Sequence, residues 1–237
     1  MLCQVGPRKV LERSPRPRPG IRMKGSRRGI TFGEIDAYID RLANAGDEAL
    51  RAVEREGVEE GWPIVGAAEG SLLHLLARAI SARHILELGT AIGYSGTWLA
   101  RALPEDGQLI TVEGDAETAK RARANFERTG VAQRATILVG LAEDVIEDLE
   151  GPFDLVFNDI NKEGYPVVLE ACVRRLRVGG LLVTDNVLWH GDVARAGRSR
   201  ETQAIRTYNE RLAKDPRLLT AILPLRDGVS IALKIRD

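Results

Sequence analysis

From residue 84 onward, short apolar runs alternate with longer stretches that carry apolar residues at helical spacing. Runs at about 84–89, 109–113, 135–139, 153–159 and 180–185 read as buried strands. Stretches at about 94–103, 115–130, 142–149 and 164–177 read as helices between them. This alternation predicts right-handed crossovers and a mostly parallel sheet covered on both faces. A further helical stretch at about 198–214 precedes a hairpin, in which Leu218 to Pro224 and Val229 to Ile235 flank a turn at Arg226-Asp227-Gly228. The hairpin adds two strands at one edge, with the last strand antiparallel to its neighbours.

Upstream of residue 84 the pattern is helical. Thr31 to Glu34 has capping-box spacing, and Ile35, Tyr38, Ile39 and Leu42 follow on one face. A second helix is expected over Asp47 to Glu56 and a third over Glu69 to Ile80. Trp62-Pro63-Ile64-Val65-Gly66 reads as extended or turning, because proline disfavours helix at the residue before it. Residues 1–28 differ from all of this. Arg13-Ser14-Pro15-Arg16-Pro17-Arg18-Pro19-Gly20 is basic, rich in proline and nearly free of apolar residues, so a disordered tail is expected there and one α/β domain over 29–237. Met23 is the only methionine besides Met1. A chain starting at Met23 should fold and turn over like the full chain, and a large drop in its thermal stability would show instead that the tail is docked.

Composition narrows the function classes. Lys+Arg and Asp+Glu both number 34, so the formal net charge is zero, which argues against binding nucleic acid through bulk charge. Cys3 and Cys172 are the only cysteines and give neither a disulfide framework nor metal spacing. No apolar run approaches a membrane span, and the basic N-terminus lacks a signal-peptide apolar region, so a reducing cytoplasm is the expected setting. His74 and His84 have no second histidine at ligand spacing.

The chemistry concentrates at the strand ends. Ile85 to Leu88 ends at Gly89, Gly93 closes a tight turn, and Ser95 opens a helical pattern. A strand, a glycine turn and a helix let a nucleotide-like ligand approach the backbone, and a side chain at Gly89 is expected to stand where that ligand lies. Ala91 occupies the place where a dinucleotide fold needs glycine, so no Gly-x-Gly-x-x-Gly is present. Glu87, Glu113, Asp159 and Asp185 all fall at the carboxyl ends of predicted strands. Carboxylates gathered at one sheet edge repel one another unless a cation sits among them. Asp159, Asp185 and Asn186 offer hard oxygen ligands from adjacent strand ends, which suits Mg²⁺ or another oxygen-preferring divalent ion such as Mn²⁺ or Ca²⁺. Lys162 follows Asp159 in the same loop.

Glu87-x-Gly89-x-x-x-Gly93-Tyr94-Ser95 resembles the first motif of class I S-adenosylmethionine-dependent methyltransferases. With Asp159-x-x-Lys162 and Asp185-Asn186-x-Leu188-Trp189-x-Gly191, the segment from Trp62 to the C-terminus resembles the cation-dependent O-methyltransferases that include caffeoyl-CoA and catechol O-methyltransferases. The resemblance implies a Rossmann-like methyltransferase fold with a seven-stranded sheet whose last strand is antiparallel, and a homodimer. It implies that Val65, Glu87, Gly89, Ser95, Glu113 and Ala142 contact S-adenosylmethionine and that Asp159, Asp185 and Asn186 hold the metal. It also implies that Lys162 is the catalytic base and that the acceptor is a small molecule with a phenolic or catechol-like hydroxyl. Two positions depart from the family pattern. Asn161 stands where many relatives carry a second acid, and its amide keeps the capacity to hydrogen-bond the cofactor. His190 stands where many plant members carry Asn, near the acceptor. The alternatives are an NAD-dependent oxidoreductase or a non-catalytic cofactor-binding protein of similar fold. The missing dinucleotide motif and the absence of a Tyr-x-x-x-Lys pair count against the first, and the full metal set with Lys162 counts against the second.

Overall fold

The structure, a computed structural model, describes residues 33–43, 46–195 and 197–237. The expected tail, the alternative start at Met23, Cys3 and the capping role of Thr31 lie outside the described residues.

Three helices come first: α1 (Gly33–Leu42), α2 (Glu48–Glu60) and α3 (Gly66–Ala79). The alternating part follows as β1 (His84–Leu88), α4 (Tyr94–Ala102), β2 (Gln108–Glu113), α5 (Ala116–Arg128), β3 (Ala135–Val139), α6 (Ala142–Asp148), β4 (Phe153–Asn158), α7 (Tyr165–Arg175) and β5 (Leu176–Thr184). Then come α8 (Arg200–Lys214), β6 (Leu218–Leu223) and β7 (Val229–Lys234). The strands form one seven-stranded sheet in the order β3-β2-β1-β4-β5-β7-β6. The pairs among β1 to β5 are parallel, whereas β7 runs antiparallel to both β5 and β6. The expected seven strands, with an antiparallel last strand, are therefore present.

Strand periodicity divides the core into two layers. Ile85, Leu109, Leu155 and Phe157 face α2 to α5 and pack with Leu50, Leu73, Leu99 and Phe126. Leu86, Leu88, Val112, Val156 and Leu182 face α6 to α8 and pack with Ile146, Val168, Leu169, Ile205 and Tyr208. The chain winds outward from β1 to β3 and returns beside β1 as β4. The connections therefore leave β1 and β4 in opposite directions, which opens a crevice at their carboxyl ends. No helix among the described residues is long and apolar enough to cross a membrane.

Three elements differ from their expected bounds. α2 continues past Gly57 to Glu60 and ends at Gly61, whose φ of 75° permits a left-handed cap. The interior glycine lets the Ile64 side chain pack closely, since a Cβ on Gly57 would come within 2.7 Å of it. α3 starts at Gly66, and Asp40 of α1 accepts a hydrogen bond from Ala68 N at 3.3 Å. β5 starts at Leu176 because the strand passes through a register shift opposite Phe153 and Leu155. Gly179 (φ +80°) lies in that irregular part, where an Arg-Val-Gly-Gly sequence hides the strand pattern.

Candidate functional site

A cleft of about 1630 Å³ opens at the carboxyl ends of β1, β2, β4 and β5. Its floor begins at the glycine turn. Gly89 N and Thr90 N both donate to Val112 O, at 3.0 and 3.1 Å, which ties the turn to β2. Gly89 has φ +97°, and a Cβ there would overlap the Asp159 carbonyl. A side chain at Gly89 would thus meet the neighbouring strand end, whatever ligand the cleft takes. Glu113 closes β2. One of its oxygens accepts from Ala91 N at 2.8 Å and the other from Asp115 N at 3.1 Å. The carboxylate is thus fixed beside the turn and lines the cleft, with acceptor capacity left for hydroxyl donors. Val65, Ser95, Ala142 and Asn161 line the same cleft, from the N-terminal ends of α3, α4 and α6 and from the loop after β4.

Glu87 does not line the cleft. Its position in β1 turns the side chain to the face covered by α4 and α5, where it is fully buried. Its Oε2 accepts from Thr111 Oγ1 at 2.6 Å, and Oε1 has no hydrogen-bond partner. Four acids at strand ends therefore do not make four acids in one pocket. Burial pushes the Glu87 carboxyl up to about 7, against the pull of Ser95 and Thr111. Between the ordinary carboxyl value and pH 7 the folded protein keeps a proton that the unfolded chain has released, so stability falls as pH rises through that window. Glu87→Gln should be near neutral at pH 4.5 and stabilising at pH 8, by about 2–3 kcal/mol in cofactor-free urea denaturation. Equal destabilisation at both pH values would show that the charge is not the dominant cost.

Asp159 and Lys162 follow β4. Lys162 Nζ donates to Asp159 Oδ1 at 2.7 Å, to Tyr165 Oη at 2.7 Å and to Ile160 O at 3.2 Å. Tyr165 Oη donates onward to Asp185 O at 2.9 Å. Asp185, after β5, accepts from Asn186 N at 2.5 Å. Burial first, then the Asp159 charge, raise the Asp185 carboxyl above the ordinary range, with Lys162 opposing. The structure thus brings Asp159, Lys162, Asp185 and Asn186 to one wall of the cleft. Among the described residues no group of three or more His, Cys, Asp or Glu is arranged to hold a metal ion. The wall instead carries two carboxylates and one amide, all hard oxygen donors that fit Mg²⁺ or a similar ion. Lys162 would remain beside an ion held by those donors.

Sequence reasoning missed three residues here. Tyr165 is fully buried, and its hydroxyl links Lys162 to the end of β5. Asp227 accepts from the His190 backbone N–H, and its Oδ2 lies 3.4 Å from His190 Nδ1. That pairing fixes His190 on the cleft wall and crosses 37 residues of sequence, so no local spacing signals it. Glu69 of α3 is fully buried with no hydrogen-bond partner on either oxygen. Burial, then the Asp185 charge, push its carboxyl well above the ordinary range, with Arg226 opposing. His74, by contrast, packs through Nδ1 against Trp98 O at 3.1 Å.

Comparison with known proteins identifies the family of this chain. A family model described as O-methyltransferase matches residues 43–235. A catechol O-methyltransferase of Niastella koreensis is 36% identical over 214 residues, which cover 85% of this chain and 97% of that protein. A caffeoyl-CoA O-methyltransferase of Petroselinum crispum is 30% identical over 203 residues, 79% of this chain and 84% of that protein. Among solved structures, the O-methyltransferase TomG of Streptomyces achromogenes, in complex with S-adenosylmethionine, superposes with a TM-score of 0.79. It is 36% identical, over 86% of this chain and 96% of that one. With a family model matched over most of its length and relatives at 30% identity or more, this chain belongs to the O-methyltransferase family.

Proposed function

We propose that the protein transfers a methyl group from S-adenosylmethionine to a hydroxyl of a small catechol-like or phenolic acceptor, assisted by a divalent cation, Mg²⁺ first, with Mn²⁺ or Ca²⁺ as substitutes. One observation carries this reading: Asp159, Lys162, Asp185 and Asn186 share a wall of the cleft whose floor is the glycine turn and Glu113. Val65, Gly89, Ser95, Glu113, Ala142 and Asn161 hold the cofactor, and Glu87 acts from beneath the turn. Asp159, Asp185 and Asn186 hold the cation, which when bound polarises the acceptor hydroxyl and fixes its position. Lys162, as the free amine, takes the hydroxyl proton as the oxygen attacks the methyl carbon, and the methyl–sulfur bond breaks to leave S-adenosylhomocysteine. His190, held by Asp227, borders the acceptor.

The decisive assay is turnover of labelled S-adenosylmethionine with a panel of vicinal dihydroxy aromatics. Absence of turnover across the panel would remove the catechol-like class. Stabilisation by S-adenosylhomocysteine and not by NAD in a thermal scan separates this reading from an oxidoreductase. Glu113→Ala should weaken cofactor binding by about 1.5–3 kcal/mol, the range for hydrogen bonds to a charged group. Part of that loss comes through Ala91, whose amide the same carboxylate holds. Unchanged affinity by calorimetry would move the ribose contact elsewhere. The protein is further read as a cytoplasmic homodimer. Exposed Leu219, Ile222 and Leu223 on edge strand β6 support self-association, which sedimentation tests directly.

A further inference from the structure

The cleft is unevenly charged. Nine carboxyl groups line it, against two side-chain cations, Lys162 and Arg226. Both cations are engaged within the chain. Lys162 Nζ pairs with Asp159 at 2.7 Å. Arg226 Nη2 donates to Ile64 O at 3.2 Å, and its Nε lies 3.9 Å from the buried Glu69. His190, the other basic side chain on the wall, lies beside Asp227. The acids outside the metal set are not matched in this way. Glu143 stands in the first turn of α6, Glu163 directly follows Lys162, and Glu201 stands in the first turn of α8. All three line the cleft, and among the described residues none of them has a cation within ion-pair distance. Arg195, Arg198 and Arg200 are near Glu201 in sequence but do not line the cleft.

Acids favour helix N-termini, which accounts for the residue type of Glu143 and Glu201 but not for the missing cation opposite them. A bound divalent cation and a cofactor of net charge one positive would still leave the carboxylates in excess. That excess acts on a whole ligand, because low-dielectric walls focus the field in a cleft. An anionic group entering it would lose hydration and find no counter-charge. Glu163 adjoins Lys162, and Glu201 follows the segment that carries His190, so both stand on the acceptor side. Glu143 follows Ala142 on the cofactor side.

We propose that Glu163 and Glu201 are specificity-determining residues that turn away anionic acceptors, so that the phenols accepted are neutral or carry an amine. This inference rests on the catechol-like reading of the same cleft and adds to it the charge of the acceptor's substituent. Neither carboxylate takes part in the transfer. They act by repulsion on the part of the acceptor that trails the reacting hydroxyl. Discrimination of this kind comes from an unpaired charge set against the wrong ligand.

The test is kcat/KM of the full chain for aminoethyl-, ethyl- and carboxyethyl-catechol, with saturating S-adenosylmethionine and Mg²⁺, at low and high salt. The saturated spacer keeps the acidity of the hydroxyls alike. At low salt the carboxyethyl compound should fall ~10–100-fold below the ethyl compound, chiefly through KM, and the aminoethyl compound should at least equal the ethyl one. Salt should narrow the gap by screening. Calorimetry on protein loaded with S-adenosylhomocysteine should rank the three Kd values in the same order. Glu163→Gln combined with Glu201→Gln should narrow the carboxyethyl-to-ethyl gap several-fold, and Glu163→Lys combined with Glu201→Lys should close or invert it. Each ratio is taken within one variant, so a change in the rate set by Lys162 cancels. Equal kcat/KM for carboxyethyl- and ethyl-catechol at low salt overturns the proposal and leaves the methyl-transfer reading intact. A gap that persists unchanged in both double variants also overturns it, since shape would then make the selection. If ethylcatechol is not methylated by the unsubstituted protein, the catechol-like reading fails and this inference fails with it.

Discussion

Treatment with EDTA is expected to abolish methyl transfer while leaving S-adenosylmethionine binding nearly intact, and Mg²⁺ or Mn²⁺ should restore the activity. The separation follows from the layout of the cleft. Glu113 and the glycine turn are anchored by Ala91 N, Asp115 N and Val112 O, none of which involves the metal set. Asp159, Asp185 and Asn186 sit on another wall, after β4 and β5. Polarisation of the acceptor by a metal amounts to several kcal/mol, so its removal should slow turnover by ~10³-fold or more. Asp185→Ala should reproduce the effect of chelation and resist rescue, because a ligand and its charge are both gone. Calorimetry with S-adenosylhomocysteine on the same samples checks that the cofactor side survives. Full activity in metal-free enzyme would refute the mechanism and leave Lys162 as a bystander.

Lys162→Ala should behave differently. Metal and cofactor should still bind, but turnover should fall by ~10²–10⁴-fold, the usual contribution of a general base. Lys162 is nearly buried, with 11% of its side chain exposed, and its ammonium meets Asp159, Ile160 and Tyr165. Among the described residues, no other lysine lines the cleft to act as a substitute. Raising the pH should return part of the rate, since a phenolic acceptor titrates near pH ~10 and then ionises without help. A pH–rate profile parallel to that of the unsubstituted enzyme would argue that Lys162 only holds Asp159 in place.

The parts of this protein written locally were readable in advance. Ile85 to Leu88 and Phe153 to Asn158 announce strands by their apolar runs, and the acids that end them fall where a parallel sheet gathers its ligands. Asp159, Lys162, Asp185 and Asn186 could be found because each lies just past such a run. What sequence could not resolve depends on which face a side chain takes or on contacts between distant segments. Glu87 looked like a pocket residue, yet strand alternation turns it toward Thr111 and Phe126. Glu69 looked like an acid at the start of a helix, and only the folded chain, which brings the Arg226 turn beside it, buries it. Tyr165 and Asp227 gain their meaning from partners 20 and 37 residues away. The long β5 was obscured because its first half pairs through a bulge.

The position of β7 has a consequence for synthesis. The last strand of the chain is inserted between β5 and β6, and β6 has no other neighbour in the sheet. The loop after β5 depends on the same closing segment: Val187 N donates to Gly228 O at 2.9 Å, Leu188 N donates to Asp227 O at 3.0 Å, and Asp227 accepts from the amide of His190. A nascent chain that has emerged only as far as α8 already carries every residue of the glycine turn, Glu113, Asp159 and Lys162, but not the segment that fixes the far wall. Such pairing between distant segments forms late, because loop closure must come first. On the proposed reading, prematurely terminated chains would hold the cofactor cradle without the wall that borders the acceptor, and methylation is expected only once the final strand has been threaded into the sheet.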